Sequence, residues 1–256
     1  PASKSVNAGA NVTITVSATG TAPLNYQWRF NGSNISGATG SSYTKNNVQS
    51  GDVGNYSVVV SNPAGSVTSP NATLSLNVPP TITTQPASQA VNAGGNVTFS
   101  VSATGTTPMS YQWRFNGSNI SGATGSSYTK NNVQSGDAGN YSVVVSNVAG
   151  SATSANASLT VNVPPAITTQ PASQTVNAGA NVTFSVSATG TTPMSYQWRF
   201  NGSNISGATG SSYTKNNVQS GDAGNYSVVV SNVAGSATSA NASLTVNVPP
   251  TITAQP

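Results

Sequence analysis

Cysteine, histidine and glutamate are absent from this chain of 256 residues, and only three Asp stand against seven Lys plus Arg. Without cysteine there is no disulfide framework, which fits a reducing compartment or an exported protein that does without bridges. Without imidazole or thiol there is no Ser/His/Asp or Cys/His nucleophile and no zinc site. A glycosidase needs two carboxylates about 5 to 10 Å apart, and Asp52, Asp137 and Asp222 lie far apart in the sequence. The hard-ion chemistry of calcium needs several carboxylates together. No apolar run approaches the ~18 residues of a membrane span. The net charge of +4 is scattered rather than clustered, so a nucleic-acid groove has little to stand on. The expectation is a chain that is not an enzyme, binds no cofactor, metal or nucleic acid, and does not insert in a membrane. The opening Pro-Ala-Ser-Lys has no signal-peptide character and suggests a mature or excised segment.

What is present is a repeat. Trp28, Trp113 and Trp198 recur at one spacing, as do Asp52, Asp137 and Asp222, and the surrounding text recurs with them. Residues 171 to 255 differ from 86 to 170 at only four positions, Ala90/Thr175, Gly95/Ala180, Ala166/Thr251 and Thr169/Ala254. Self-similarity at this period marks one domain copied in tandem. The expected boundaries are 1–79, 80–164 and 165–249, with 250–256 left as a spare opening segment of a following unit.

Within a unit the apolar period is two. Val97, Phe99, Val101 and Ala103 alternate with Thr and Ser, then Tyr111, Trp113 and Phe115 alternate with Gln112 and Arg114. Tyr141, Val143 and Val145 follow, then Leu159, Val161 and Val163. This is the pattern of strands with one buried face, punctuated by Gly, Pro and Asn, and no window reads as a helix. The predicted class is all-β: three antiparallel two-sheet sandwiches in tandem. Seven or eight strands per unit are expected, the fourth shortened or missing, with Ile120 in a brief extension of the third strand and a turn over Gly122 to Gly125.

The run Val97 to Gly105, then Pro108, Trp113, Asn116-Gly117, Asn132-Val133 and Asp137-Ala138-Gly139-Asn140-Tyr141 resembles the immunoglobulin superfamily, in particular the intermediate-set domains of bacterial tandem arrays. The resemblance covers every unit. It implies that Trp28, Trp113 and Trp198 are core tryptophans and that Tyr56, Tyr141 and Tyr226 close tyrosine corners, each hydroxyl bonding back to nearby backbone. Asp52, Asp137 and Asp222 are expected to support the preceding turn by accepting its N–H groups. The chain departs from the family where an inter-sheet disulfide would sit. Val16 and Val58, Val101 and Val143, and Val186 and Val228 occupy those places, so apolar packing replaces a link worth roughly 2 to 4 kcal/mol. A second departure is Lys45, Lys130 and Lys215, where the family has an inward aliphatic residue. An aliphatic stem under a surfaced ammonium explains it; a covalent Lys–Asn link, with only Asp137 as helper carboxylate, is the sharper alternative.

The surface is rich in Ser, Thr and Asn, which keep it wet without charge repulsion between neighbouring copies. Sequons begin at Asn96, Asn116, Asn119, Asn140 and Asn156, a density that chance explains in so Asn- and Ser-rich a text; in a eukaryotic secretory route some would carry glycans. The joints Asn77-Val78-Pro79-Pro80 and Asn162-Val163-Pro164-Pro165 predict short, stiff connections and an extended rod. The functional expectation is an extracellular or cell-surface spacer array, the stalk of an adhesin or part of a surface fibre, self-associating or packing with its own repeats. The alternative is a module that binds a protein or carbohydrate through its end loops. Because Pro1 aligns with Pro86, the first unit lacks a leading strand, and Thr251, Ile252 and Thr253 are expected to donate one, head to tail, to another chain.

Overall fold

The computed structural model describes residues 1–253. In the first sandwich the strands are β1 Lys4–Val6, β2 Val12–Thr15, β3 Asn25–Phe30, β4 Ser33–Asn34, β5 Ser42–Lys45, β6 Gly54–Asn62, β7 Gly65–Thr68 and β8 Ala72–Leu76. One sheet runs β1-β8-β6-β3-β4, with β7 also paired to β6; the other is β2-β5. The third sandwich has the same plan. Its strands Gln174–Asn177, Ala242–Asn247, Gly224–Asn232, Ser195–Phe200 and Ser203–Asn204 form the large sheet in that order, and Val182–Ser185 pairs with Ser212–Lys215. The second sandwich repeats these strands at the equivalent positions.

Alternation decides which face is inside. Val12 and Ile14 of β2 are buried while Thr13 and Thr15 are exposed, and Val182 and Phe184 repeat the pattern. A one-residue slip would turn the whole apolar set outward. The hairpin between β3 and β4 turns on Asn31 and Gly32 with φ of 47° and 85°, the two positive φ values of a type I′ turn. Opposite β3, on β6, Val58 pairs with Trp28 and Tyr56 with Phe30.

Each core is built around its tryptophan. In the third sandwich Trp198 packs with Phe184, Val186, Val218, Tyr226, Val228, Val230, Ala242 and Leu244, all buried. The indole N–H does not go unpaired: Trp28, Trp113 and Trp198 donate to the carbonyls of Gly40, Gly125 and Gly210, each at 3.0 Å. Among the described residues no buried side-chain nitrogen or oxygen lacks a partner, as a stable interior requires.

Two local expectations need correction. The extension after the third strand is Ser118–Asn119, not Ile120; the turn at Asn116-Gly117 reverses the chain at once, so its first two residues make the ladder, and Ile120 follows by donating its N–H to the Trp113 carbonyl. The second strand is also broken in two, Val97–Ser100 and Ser102–Thr104. The break moves the chain from one pairing partner to another, because Ser102–Thr104 pairs with Thr81–Thr84, a strand ahead of the sandwich's other elements. No strand occupies the fourth position between Ser118–Asn119 and Ser127–Lys130.

Candidate functional site

Two places concentrate specific polar geometry: the corner ahead of the long strand in each unit, and the end where the leading segment docks in the second and third. At the corner, Ser50–Asp52 and Ser220–Asp222 form single 3-10 turns. The Gln49 N–H donates to Asp52 Oδ2 at 2.9 Å, and the Gln219 N–H to Asp222 Oδ2 at 2.8 Å. Asp137 accepts from the Gln134 N–H at 2.8 Å. The Tyr56 hydroxyl donates to the Asp52 carbonyl and the Tyr226 hydroxyl to that of Asp222, both at 3.0 Å. One short segment thus holds the turn by its aspartate carboxylate and the strand by its carbonyl.

Lys45, Lys130 and Lys215 end the strand beside this corner, and each ammonium, at the surface, also finds a partner there. Their Nζ atoms lie 2.9, 3.0 and 3.0 Å from Asp52, Asp137 and Asp222 Oδ1. The strand delivers each ammonium beside the only carboxylate in its unit, so a partly exposed ion pair forms, and the partner is an aspartate rather than the amide that a Lys–Asn link requires. The hydrogen bond from Gln49, then that from Lys45, holds the Asp52 carboxyl below its ordinary value; the Gln219 bond leads for Asp222. The Asp52 and Asp222 partners raise Lys45 and Lys215 in turn. Burial, first among the causes, pushes the Tyr56 and Tyr226 phenols up to about 12.

Val58, Val101, Val143, Val186 and Val228 are buried, as are Trp28, Trp113, Trp198, Tyr56, Tyr141 and Tyr226. Val186 and Val228 share one core cluster with Trp198. Val16 differs: it is half-buried and packs against its core.

The second place is where the leading segment docks. In the third sandwich the segment Val163 to Gln170 is bound along one side. Ala166–Thr169 pairs with Ser187–Thr189, Ile167 opposite Ala188. Val163 donates to Thr191 Oγ1 at 2.7 Å and accepts from the Thr191 N–H at 3.0 Å and Asn232 Nδ2 at 2.8 Å. The Ala240 N–H donates to Gln170 Oε1 at 2.9 Å. Gly190 makes the approach possible: at φ +146° a Cβ there would sit 3.0 Å from the Pro164 oxygen, a position for glycine. Val78, Thr106, Asn147, Gln85 and Ala155 make the same set of bonds in the second sandwich. Sequence reasoning missed Thr106, Asn147, Thr191 and Asn232 altogether, since isolated Thr and Asn in so polar a text carry no signal.

In the first sandwich Ser17–Thr19 forms no strand, and the wall beside it is open. Two adjoining hollows of about 350 and 380 Å³ share Ala18, Thr19, Val60 and Val67 as lining. Val67, where the other units have Ala152 and Ala237, is 66% exposed. Thr251, Ile252 and Thr253 form no strand and are exposed; Ala254, Gln255 and Pro256 of the spare segment lie outside the described residues. No group of three metal-ligating side chains exists among the described residues.

The description "Immunoglobulin domain" fits three stretches, residues 1–62, 79–147 and 164–232. Human hemicentin-1 is 32% identical over 223 residues, covering 80% of this chain and 4% of its own length. The decoration protein of Escherichia phage T5 is 40% identical over 82 residues, 32% of this chain and 49% of that protein. Among solved structures the I-band fragment I67–I69 from titin superposes with a TM-score of 0.75 at 26% identity, covering 96% of each chain. The chain therefore spans a small fraction of hemicentin-1 and about half of the phage protein.

Proposed function

This chain belongs to the immunoglobulin-domain family, and on that footing we propose that it is a structural spacer, a run of repeats that holds something at a distance outside the cell, as the stalk of an adhesin or part of a surface fibre does. The observation that carries this is the near-identity of the copies, four differences between residues 86–170 and 171–255. A recognition surface needs at least one unit whose loops diverge; a spacer needs only length. The side-chain inventory supports a role without catalysis. The uncharged Ser, Thr and Asn surface supports close neighbours, and the Pro-Pro joints limit bending.

A spacer must lengthen with every repeat added. Small-angle scattering of chains with one, two and three repeats measures this. For all 256 residues a single compact body has a radius of gyration of about 18 Å, and a spacer is expected to lie well above it. A value that stays near the compact limit refutes the reading.

The 40% identity with the T5 decoration protein over 82 residues, nearly one repeat, favours a second reading, a module that coats a particle. Fractionation separates the two: a spacer of a cell-surface protein sediments with envelopes, a decoration module with particles.

A further inference from the structure

The small sheet of each sandwich ends on an open edge. In the first, Ser42–Lys45 pairs only with Val12–Thr15, and in the third Ser212–Lys215 pairs only with Val182–Ser185. The stretch that could supply a further strand is committed elsewhere. Ile35 donates its N–H to the Trp28 carbonyl and Ala38 accepts from the Trp28 N–H, both at 2.9 Å, while Gly40 accepts from the indole at 3.0 Å. Ile205, Ala208 and Gly210 serve Trp198 in the same way. Along the edge the backbone groups alternate. Val16 donates to the Ser41 carbonyl at 3.0 Å, so Tyr43 and Lys45 turn their N–H and C=O groups to the partner strand, and Ser42 and Thr44 turn theirs outward. A row of outward backbone groups is a template for a strand of another chain. The same four residues, Ser-Tyr-Thr-Lys, form this edge three times, so any second copy brings matching edges.

The side chains on the edge alternate as well. Lys45 lies opposite Val12 and Tyr43 opposite Ile14; Lys215 lies opposite Val182 and Tyr213 opposite Phe184. Residues directly opposite across a ladder share a face, and Val12, Ile14, Val182 and Phe184 are buried. Each lysine therefore starts from the inner face, the one that a widened sheet has to seal. Tyr43 meets that demand by packing against the core. Lys45 does not: its ammonium sits 2.9 Å from Asp52, and the two side chains stay 34% and 20% exposed. Lys130 with Asp137 and Lys215 with Asp222 repeat the arrangement. A strand laid along the edge would strip water from both charges, a loss that their attraction does not repay.

We propose that Lys45, Lys130 and Lys215 guard this edge: inward ammonium groups, paired with aspartate yet still wet, keep a second copy of the chain from adding its own Ser-Tyr-Thr-Lys strand to the sheet by β-augmentation. An aliphatic residue at the same place satisfies the inner face and leaves the edge free to pair. The inference goes beyond the spacer reading, and either stands if the other fails, since a chain can lengthen with repeat number whatever guards its edges.

The test is sedimentation velocity of the full 256-residue chain over a range of concentrations, with hydrogen exchange at the edge amides. The triple variant Lys45→Leu, Lys130→Leu, Lys215→Leu is expected to melt cooperatively and to associate with an apparent constant about ten-fold or more above that of the unaltered chain. The amides of Ser42, Thr44 and their equivalents should gain protection as it does so. Adding Thr44→Pro, Thr129→Pro and Thr214→Pro, which removes an outward N–H from each edge, should return the association to its original level, and the triple Lys→Arg variant should behave like the unaltered chain. If the leucine variant fails to melt cooperatively, Lys→Gln at the three positions, which removes the charge and keeps the length, is read in its place by the same criteria. An uncharged variant that associates no more than the unaltered chain overturns the inference. So does association that leaves the edge amides unprotected or survives the prolines, and so does protection of those amides by concentration in the unaltered chain.

Discussion

A disulfide placed between Val186 and Val228 tests the inter-sheet packing most directly. Both side chains lie in the Trp198 core, Val186 at the break between Val182–Ser185 and Ser187–Thr189 and Val228 on Gly224–Asn232. The double variant Val186→Cys, Val228→Cys in its oxidised form closes a loop of about 42 residues, for which the chain-entropy estimate is about 4 kcal/mol, with native strain trimming it to about 2 to 4. Comparing oxidised with reduced protein of the same variant cancels the cost of replacing two valines. At a urea slope of about 1 kcal/mol per molar for a unit of this size, the unfolding midpoint rises by about 2 to 4 M. Tryptophan fluorescence reports it with an internal control, because Trp28 and Trp113 sit in the other two sandwiches and their transitions stay in place. If the two thiols do not join under mild oxidant, or if the oxidised and reduced midpoints coincide, the two valines do not face one another and the strand phase is wrong.

Val143→Ala should cost about 2 to 4 kcal/mol through lost burial and a cavity, whereas Arg114→Ala, which removes a bond to Asn119, should cost under about 1 kcal/mol; urea unfolding compares them. Tyr226→Phe removes the donor to the Asp222 carbonyl and should cost about 1 kcal/mol, read as a lower thermal midpoint. Lys215→Met should leave the thermal midpoint nearly unchanged because the ion pair is partly exposed, and a clear drop would mean that the pair is more than a surface contact. The pH profile has two edges. Asp52 and Asp222 are depressed below 3.8 in the folded chain, so their contribution is complete above that value and disappears as pH falls through the folded pKa. Tyr56 and Tyr226 rise from 10.0 to about 12, so stability holds below pH 10 and declines from there toward 12; Tyr226→Phe should flatten part of that alkaline edge in a melting series.

The repeat, the strands and the buried tryptophans were legible because a period of two and a copied text are statements about many residues at once. Trp198 could hardly be elsewhere once Tyr196 and Phe200 alternated around it. The corner was legible only in part. The Asp222 carboxylate was expected to hold its turn, but its second bond, to Lys215, depends on where the strand Ser212–Lys215 ends in space, and spacing along the chain does not encode that. The break between Ser185 and Ser187 was hidden for a related reason: the same small polar residues continue across it, and the change of pairing partner arises from the leading strand's position.

Within the third sandwich the entering strand Gln174–Asn177 and the departing strand Ala242–Asn247 are parallel, Gln174 opposite Leu244 and Asn177 opposite Asn247. Tension applied to the two ends of such a unit drags these strands past one another along their length. Every rung of the ladder then bears the load together, whereas a hairpin pulled at its open end yields one rung after another. Resistance to stretching is therefore a property of the strand order itself, present in each unit that carries the pair, and the first sandwich has it across Lys4–Val6 and the residues from Leu74 to Leu76. A tether exposed to drag would draw on that resistance without needing any residue beyond those that fold it.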